Sequence, residues 1–230
     1  MTSVSEVYNT VLDYLLPEHC GLCLEQPARG FCASCRDEFA IVENPCAGCG
    51  LTQPVRRCPR ETNRWLLERV VVPLRYEFPL STEIHAMKYS RRRLNGRALG
   101  LLLAEHLPSR ANLREIDALV AVPLHRRRLR QRGFSQSLEI ARAISTELAI
   151  PLLIAGIRRA RETRPQSELD INERQASVTG AFSVSRDLRG LRIAVVDDFI
   201  TTGATVNALA DALYSAGARN VQAWSVARTL

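Results

Sequence analysis

The sequence predicts an α/β protein in which a mostly parallel sheet is flanked by helices and preceded by a small cysteine-rich module. From about residue 69 onwards, short apolar runs alternate with amphipathic segments of helical length, a pattern typical of consecutive βα units. All seven cysteines lie between residues 20 and 58. A chain of 230 residues, 46% of them apolar, has room for one main domain and a small second one. We therefore predict a module over residues 1–65 and an α/β domain over residues 66–230.

The individual elements follow from periodicity and from turn residues. A short amphipathic helix is predicted over residues 5–16, where it is expected to pack against its own domain. A strand region is predicted over residues 69–76, and Pro73 within it indicates an edge strand or a bulge. Further strands are predicted over residues 116–122, 191–196 and 221–226, alternating with helices over 94–107, 137–148 and 202–216. Gly217 is expected to terminate the last helix.

The three later helices have one mainly apolar face each. Because a residue recurs on the same face of a helix every three or four positions, these faces are expected to pack on the sheet. The residues at that spacing are Leu99, Leu102, Leu103 and His106 in one helix, Leu138, Ala141, Ile144 and Leu148 in the next, and Val206, Leu209, Ala210 and Leu213 in the last.

Composition also bears on where the protein works. No apolar run approaches the roughly 20 residues that a membrane-spanning helix needs. The first residues lack a basic segment followed by an apolar one, so no secretory signal is recognisable. We expect a cytoplasmic protein without membrane insertion.

Positive charge is concentrated in one segment. The net charge is +7, and the segment from residue 88 to residue 132 alone holds twelve basic and three acidic residues. This clustering favours an anion-binding surface, for a small phosphorylated ligand or a nucleic-acid strand, although a solvated basic face would look the same. Lys88 is the only lysine among the 31 basic residues, and we hypothesise that its compact charge reaches a phosphate; chance survival is the alternative.

The run from residue 193 to residue 205 has the composition of a site for a phosphorylated sugar. Its apolar strand ends in Asp197 and Asp198, which are expected to leave the strand at the edge where α/β sheets bind ligands. Adjacent carboxylates repel each other, so ribose hydroxyls or Mg²⁺ are expected to face them. The residues that follow at the start of a helix suit a 5′-phosphate, and they are Thr201, Thr202, Gly203, Ala204 and Thr205.

The cysteines have the spacing of structural zinc sites. Four of them, Cys20, Cys23, Cys32 and Cys35, follow the pattern C-x2-C-x8-C-x2-C, which is typical of a four-thiolate zinc site. Three more repeat that spacing, namely Cys46, Cys49 and Cys58, but Glu61 stands where the fourth cysteine is expected. Glu61 could ligate through oxygen, His19 could substitute, or the second site could lack metal. The spacing leaves open which pairs share a metal.

The acidic and threonine-rich run resembles the motif of type I phosphoribosyltransferases that binds phosphoribosyl pyrophosphate (PRPP). Segments 84–89, 122–128, 132–137, 163–166 and 180–182, together with Arg174 and the cysteine framework, resemble the ComF family of competence proteins. Residues 221–230 are similar to the GntX branch of that family. The resemblance covers essentially the whole chain, with departures at Glu61, Ser177 and Phe199, where a fourth cysteine, an asparagine and a smaller aliphatic residue are expected.

The resemblance implies a type I phosphoribosyltransferase fold with an N-terminal zinc ribbon. It implies that Asp197 and Asp198 hold the ribose hydroxyls and Mg²⁺ as catalytic residues, and that residues 201–205 hold the 5′-phosphate. Pro123, Leu124 and His125 would contact pyrophosphate, and the arginine-rich stretch with Arg126 and Arg132 would form a mobile hood over it. Arginine suits this role because its planar fork binds phosphate oxygens in pairs.

Three functions remain open at this point. The protein could transfer phosphoribose from PRPP to an acceptor that no sequence feature identifies. It could bind single-stranded DNA, since the family implies DNA uptake or DNA utilisation alongside other competence proteins, although few aromatic residues accompany the arginines. A third reading keeps the PRPP site as a regulatory sensor.

Overall fold

A computed structural model of the chain describes residues 19–25, 28–55, 58–61, 65–89, 93–107, 115–160 and 180–229. For residues 88, 89, 93 and 94 it describes the backbone alone. The predicted helix at 5–16, the segment 163–166, Arg174 and Ser177 lie outside the described residues.

The helices and strands alternate in the order expected for an α/β domain. The helices are α1 (Ala33–Asp37), α2 (Leu80–Tyr89), α3 (Arg93–Glu105), α4 (Arg126–Arg132), α5 (Gln136–Leu148) and α6 (Ala204–Ser215), with a 3-10 turn at Pro59–Glu61. The strands are β1 (Arg69–Val71), β2 (Leu74–Arg75), β3 (Ala118–Ala121), β4 (Ile157–Arg159), β5 (Phe182–Val184), β6 (Arg192–Ile200) and β7 (Asn220–Arg228).

The central sheet is parallel, as the sequence predicts. Its strand order is β1–β7–β6–β3, and β2 pairs with β7 beyond the end of β1. In register, Val195 of β6 lies between Val120 of β3 and Ala223 of β7. The short strands β4 and β5 form a separate antiparallel hairpin, which the sequence reading missed.

The sheet is covered on both faces. Alternate residues of β6 enter two apolar cores: Ala194 and Val196 lie in one with α3 and α5, and Ile193 and Val195 in the other with α6. The predicted faces of α3 and α6 are buried, except that His106 lies beyond the end of α3 and is exposed. In α5 the predicted residues Ala141 and Ile144 are buried together with Ile140, whereas Leu138 and Leu148 are half-buried.

The cysteine-rich segment packs onto the same core. Phe31 and Phe39 meet edge to face with ring centroids 5.1 Å apart, and both belong to the apolar cluster that includes Ala98 and Leu99 of α3. The module therefore gains apolar burial from the domain beside it.

Several boundaries differ from the predictions. Pro73 separates β1 from β2, and β1 lies at the edge of the sheet, which confirms the edge strand that Pro73 indicates. Strand β6 does not end at residue 196 but continues to Ile200, and Gly217 (φ 98°) follows the end of α6 at Ala216. Helices α2 and α4 are additional elements. In the described part of the chain, no helix is both long and apolar enough to cross a membrane.

Candidate functional site

The two adjacent acids lie on β6 itself, at the carboxyl end of the sheet. Strand β6 pairs with β7 up to Ile200 but with β3 only up to Val196. The expectation that the acids leave the strand is therefore wrong, because β7 continues the ladder beyond the end of β3. Asp197 and Asp198 lie on opposite faces of a strand whose other neighbour has ended; Asp197 is half-buried and Asp198 is buried.

Asp197 is held by two hydrogen bonds. Ser137, in the first turn of α5, donates its hydroxyl to Asp197 Oδ1 at 2.8 Å, and the Asp198 amide donates to the same oxygen at 3.0 Å. Burial and the neighbouring charge of Asp198 raise the pKa of Asp197 well above its usual range, against the effect of Ser137. A cation or a hydroxyl donor at this edge would stabilise the ionised form.

The predicted phosphate residues form a tight turn into α6, here named the threonine loop (residues 201–205). Gly203 is the N-cap residue of α6 with φ 81°, a conformation that favours glycine. A Cβ atom on Gly203 would lie 2.5 Å from Cη2 of Trp65, so the indole covers the glycine directly. Thr202 Oγ1 accepts the Ala204 amide at 3.3 Å. The structure thus brings all five predicted residues beside the two acids.

The segment after β3 reaches the same edge. The Val122 amide donates to the Val196 carbonyl at 2.9 Å, so Pro123, Leu124 and His125 follow at the carboxyl end of the sheet, all half-buried. His125 caps α4, with Nδ1 accepting the amide of Arg127 at 3.4 Å.

The arginine-rich stretch, which the resemblance implies is a mobile hood, is the seven-residue helix α4. Arg126 at its start is exposed, and Arg132 at its end is half-buried and donates to Gln136 Oε1 at 3.3 Å. The backbone of Lys88 lies in α2, but its side chain is outside the description, so its role stays a prediction.

The sequence analysis missed two residues around the acids and gave a third, Phe199, only as a departure from the family. Ser137 had no signal as an aspartate partner. Arg159 of β4 is 9% exposed, forms a backbone bridge with His125 and lies with Cζ 5.5 Å from the centroid of the Phe182 ring. Burial lowers the pKa of Arg159, while the charge of Asp197 acts in the opposite direction. Phe199, expected to pack, stacks on Tyr76 at 4.6 Å.

The first cysteine cluster has the geometry of a tetrahedral metal site. The sulfur atoms of Cys20, Cys23, Cys32 and Cys35 all lie within 4.8 Å of one another, and those of Cys23 and Cys32 are 3.9 Å apart. Zinc–sulfur bonds of about 2.3 Å imply sulfur–sulfur separations of about 3.8 Å in a tetrahedron. The two consecutive pairs therefore share one site, and the interleaved arrangement is wrong.

Thiol pKa values in this cluster diverge. Burial would raise the pKa of Cys20, but backbone amides, including that of Cys32 at 3.3 Å, lower it to about 6. Burial and the neighbouring thiols raise the pKa of Cys35 to about 12. A bound cation would favour the thiolate at both positions.

The second cysteine cluster contains Cys46, Cys49 and Cys58, whose sulfur atoms lie within 4.8 Å of one another. Neither proposed substitute joins them: Glu61 is exposed at the end of the 3-10 turn, and His19 is also exposed. Burial raises the pKa of Cys49 to about 12, with Cys58 and Cys46 acting in the same direction. This second site therefore has three thiols rather than four among the described residues.

Comparison with known proteins gives consistent matches. The phosphoribosyl transferase domain model matches residues 135–229, which include α5, both acids and the threonine loop. DNA utilization protein YhgH of Escherichia coli is 34% identical over 226 residues, covering 94% of this chain and 99% of that protein. Competence protein F of Haemophilus influenzae is 28% identical over 221 residues, covering 91% of this chain and 95% of that protein.

Among solved structures, a purine phosphoribosyltransferase from Pyrococcus horikoshii aligns with a TM-score of 0.36 and 19% identity, covering 62% of this chain and 73% of that chain. A glutamine PRPP amidotransferase from Bacillus subtilis aligns with a TM-score of 0.38 and 24% identity, covering 56% and 25% of the two chains.

Proposed function

This chain belongs to the ComF family, whose members include DNA utilization protein YhgH and Competence protein F, and from that premise we propose that it binds PRPP with Mg²⁺ and transfers the phosphoribosyl group. The observation that carries the proposal is the position of Asp197 and Asp198 two residues before the threonine loop, in the part of β6 that extends beyond β3.

The two halves of this site suit the two ends of a ribose 5-phosphate group. The carboxylates of Asp197 and Asp198 would accept hydrogen bonds from the vicinal hydroxyls. Residues 201–205 would surround the 5′-phosphate with amides and hydroxyls, and the amino end of α6 adds positive potential there. Ser137 orients Asp197 through its 2.8 Å hydrogen bond. Each group is therefore already directed before the ligand binds.

The pyrophosphate end would lie toward residues 123–125. Arg126 follows this segment directly and Arg132 ends the same helix, while the buried Arg159 forms a backbone bridge with His125. In the transfer, the bond between ribose C1 and a pyrophosphate oxygen breaks, a bond forms between C1 and the acceptor, and the acceptor loses a proton. Guanidinium groups would stabilise the charge that develops on the leaving pyrophosphate. Bound Mg²⁺ would neutralise further charge on the same oxygens.

The cysteine module would hold structural zinc. The four thiols of the first cysteine cluster leave no position for a substrate, so its role would be to fold the module. We also place the protein in the cytoplasm, where such thiols stay reduced, with other proteins of the competence machinery as candidate partners.

Calorimetric titration with PRPP and Mg²⁺ tests the site. The wild type is expected to bind, and an Asp197→Asn, Asp198→Asn double variant is expected to lose binding, because it lacks the charges that face the hydroxyls and the metal. Asp187→Asn is the matched control, since Asp187 is an exposed aspartate paired with Arg189. Absence of binding by the zinc-loaded wild type would refute the proposal. Binding would justify measuring turnover with a set of acceptor bases.

A second function is favoured by one further observation. Helix α4 has five arginines among seven residues, and Arg126, Arg127 and Arg130 are exposed. Such a surface suits the phosphates of single-stranded DNA, and PRPP would then regulate binding rather than react. DNA affinity that falls steeply with salt, and that weakens when these three arginines are replaced by glutamine, would support this function. Turnover of PRPP with an acceptor would separate the enzyme from the sensor.

A further inference from the structure

A fully buried arginine lies near the second cysteine cluster. Arg228, near the end of β7, is 2% exposed, and its Nε and Nη1 atoms have no hydrogen-bond partner among the described residues. Burial lowers the pKa of Arg228, whereas the nearby Cys49, Cys58 and Cys46 act in the opposite direction. A buried guanidinium without an opposite charge is strongly unfavourable, so this position calls for an anionic neighbour. Among the described residues, the three sulfurs are the groups near Arg228 that can carry negative charge.

The ligand set of the second cysteine cluster matches that requirement. All seven cysteines and all four histidines of the chain lie within the described ranges, and none beyond Cys46, Cys49 and Cys58 joins this group. Three thiolates on a divalent cation leave one net negative charge, which one guanidinium cancels. A four-thiolate site would leave two. The buried arginine and the missing fourth cysteine are therefore complementary.

Two connections join this cluster to the threonine loop. Trp65 donates its indole N–H to the carbonyl oxygen of Gly48 at 2.9 Å, and Gly48 lies between Cys46 and Cys49. The ring of the same tryptophan covers Gly203. In addition, Arg228 pairs in register with Ile200, the residue just before the loop.

The next residue along the chain strengthens this connection. The Leu66 amide donates to Oδ1 of Asn207 at 2.7 Å, in the first turn of α6. On the cluster side, the Val70 amide donates to the Ala47 carbonyl at 2.9 Å. The segment from Trp65 to Val70 is thus bonded to the second cysteine cluster and to the start of α6.

We infer that the second cysteine cluster is a three-thiolate metal site, balanced by Arg228, that positions the threonine loop for phosphate binding through Trp65. This inference rests on the proposed function of that loop. Metal on the three sulfurs fixes the turn that contains Gly48, and Gly48 fixes the indole that covers Gly203. Without metal, the turn that contains Gly48 would lose this constraint, and the indole of Trp65 would lose a fixed acceptor.

The test combines metal analysis with PRPP–Mg²⁺ calorimetry on the full chain. The wild type is expected to carry two zinc ions, and Cys58→Ser one, with at least a tenfold loss of PRPP affinity. Arg228→Met is expected to lower both zinc content and affinity, whereas Arg228→Lys keeps the charge and restores both. Arg192→Met is the matched control, because Arg192 stands at the opposite end of the neighbouring strand and pairs with Asp117. That control is expected to leave zinc content and affinity unchanged.

Trp65→Phe keeps a ring over Gly203 but removes the donor to Gly48, so it provides a milder variant that is expected to fold. We expect full zinc content with weakened PRPP binding. Wild type with a single zinc, or a Cys58→Ser protein that binds PRPP as tightly as the wild type, would overturn the inference. Failure of the wild type to bind PRPP with both zinc ions present would refute the proposed function instead.

Discussion

At the amino end of the parallel sheet, Asp117 and Arg192 form an ion pair. Asp117 accepts hydrogen bonds from the Arg192 amide at 2.8 Å and from its Nε at 3.3 Å. At the carboxyl end, Asp197 lies beside another acid, and the buried Arg228 lies near the three thiols of the second cysteine cluster. The same residue types thus occur at both ends, but the amino end has an acid and an arginine in direct contact, whereas Asp197 at the carboxyl end is influenced by the charges of both Asp198 and Arg159. In the proposed function, the charges at the carboxyl end would meet partners from outside the chain, namely a ligand or a metal.

The largest expected effect is a difference in the free energy of unfolding between alanine substitutions of two glycines, one at each end of the sheet. Gly203→Ala places a Cβ 2.5 Å from Trp65 at φ 81°, and we expect it to lower the free energy of unfolding by about 3 kcal/mol. Gly190→Ala, just before β6, has φ 78° with no atom within 4 Å of the new Cβ, so only the backbone cost of about 1 kcal/mol is expected. Urea denaturation of both variants measures the difference. Equal losses would mean that Trp65 does not constrain the loop.

Asp197 and Asp117 should contribute to the pH dependence of folding stability with opposite signs. The raised pKa of Asp197 means that, without ligand, stability falls as pH rises above about 4, the unfolded value. Asp197→Asn should therefore raise the melting temperature at neutral pH by a few degrees and remove this slope. The Arg192 amide lowers the pKa of Asp117, so its contribution is present above about pH 4 and is lost as pH falls below it.

Asp117→Asn is the matched variant for that measurement. It should lower stability at neutral pH by no more than about 1 kcal/mol, because the pair is partly exposed and screened. Thermal denaturation from acidic to neutral pH compares the two. If Asp197→Asn destabilised the ligand-free protein at neutral pH, the residues around Asp197 would already stabilise its carboxylate, and the contrast with the amino end would fail.

The smallest effect concerns two serines on one helix. Ser137→Ala removes the donor to Asp197, and we expect PRPP affinity to fall by about 1 kcal/mol, roughly fivefold. Ser145 donates to the Ile150 carbonyl at the other end of α5, at 2.6 Å, so Ser145→Ala should leave affinity unchanged. Calorimetry with PRPP and Mg²⁺ measures both. An equal loss in both variants would indicate a general effect on α5 rather than orientation of Asp197.

Much of the fold could be predicted because it depends on local periodicity. The buried face of α6 and the alternation of strands and helices are both readable in this way. The extent of β6 was not, since carboxylates argue against a strand and the pairing with β7 that overrides them is tertiary. Helix α2 was missed because Glu83, His85 and Lys88 interrupt its apolar pattern.

The candidate site also combines residues that the sequence identifies with residues that only the fold brings together. Asp197, the threonine loop and the cysteine spacings are contiguous in sequence, so composition identifies them. Ser137, Trp65 and Arg228 come from separate elements, and nothing in their own neighbourhood distinguishes them from ordinary helix, loop and strand residues. Only the fold brings them to the carboxyl end.

The position of β7 has a consequence for synthesis. Among the described strands of the sheet, β7 follows both of its neighbours in sequence, yet it lies inside the sheet between β1 and β6, so the ribosome delivers a central strand after the strands on either side of it. A nascent chain that still lacks residues 220–228 has neither Arg228 beside the cysteines nor a partner for the end of β6. The growing polypeptide therefore cannot complete the surroundings of the second cysteine cluster or of the carboxyl end of β6 early. Folding must wait for contacts between residues far apart in sequence.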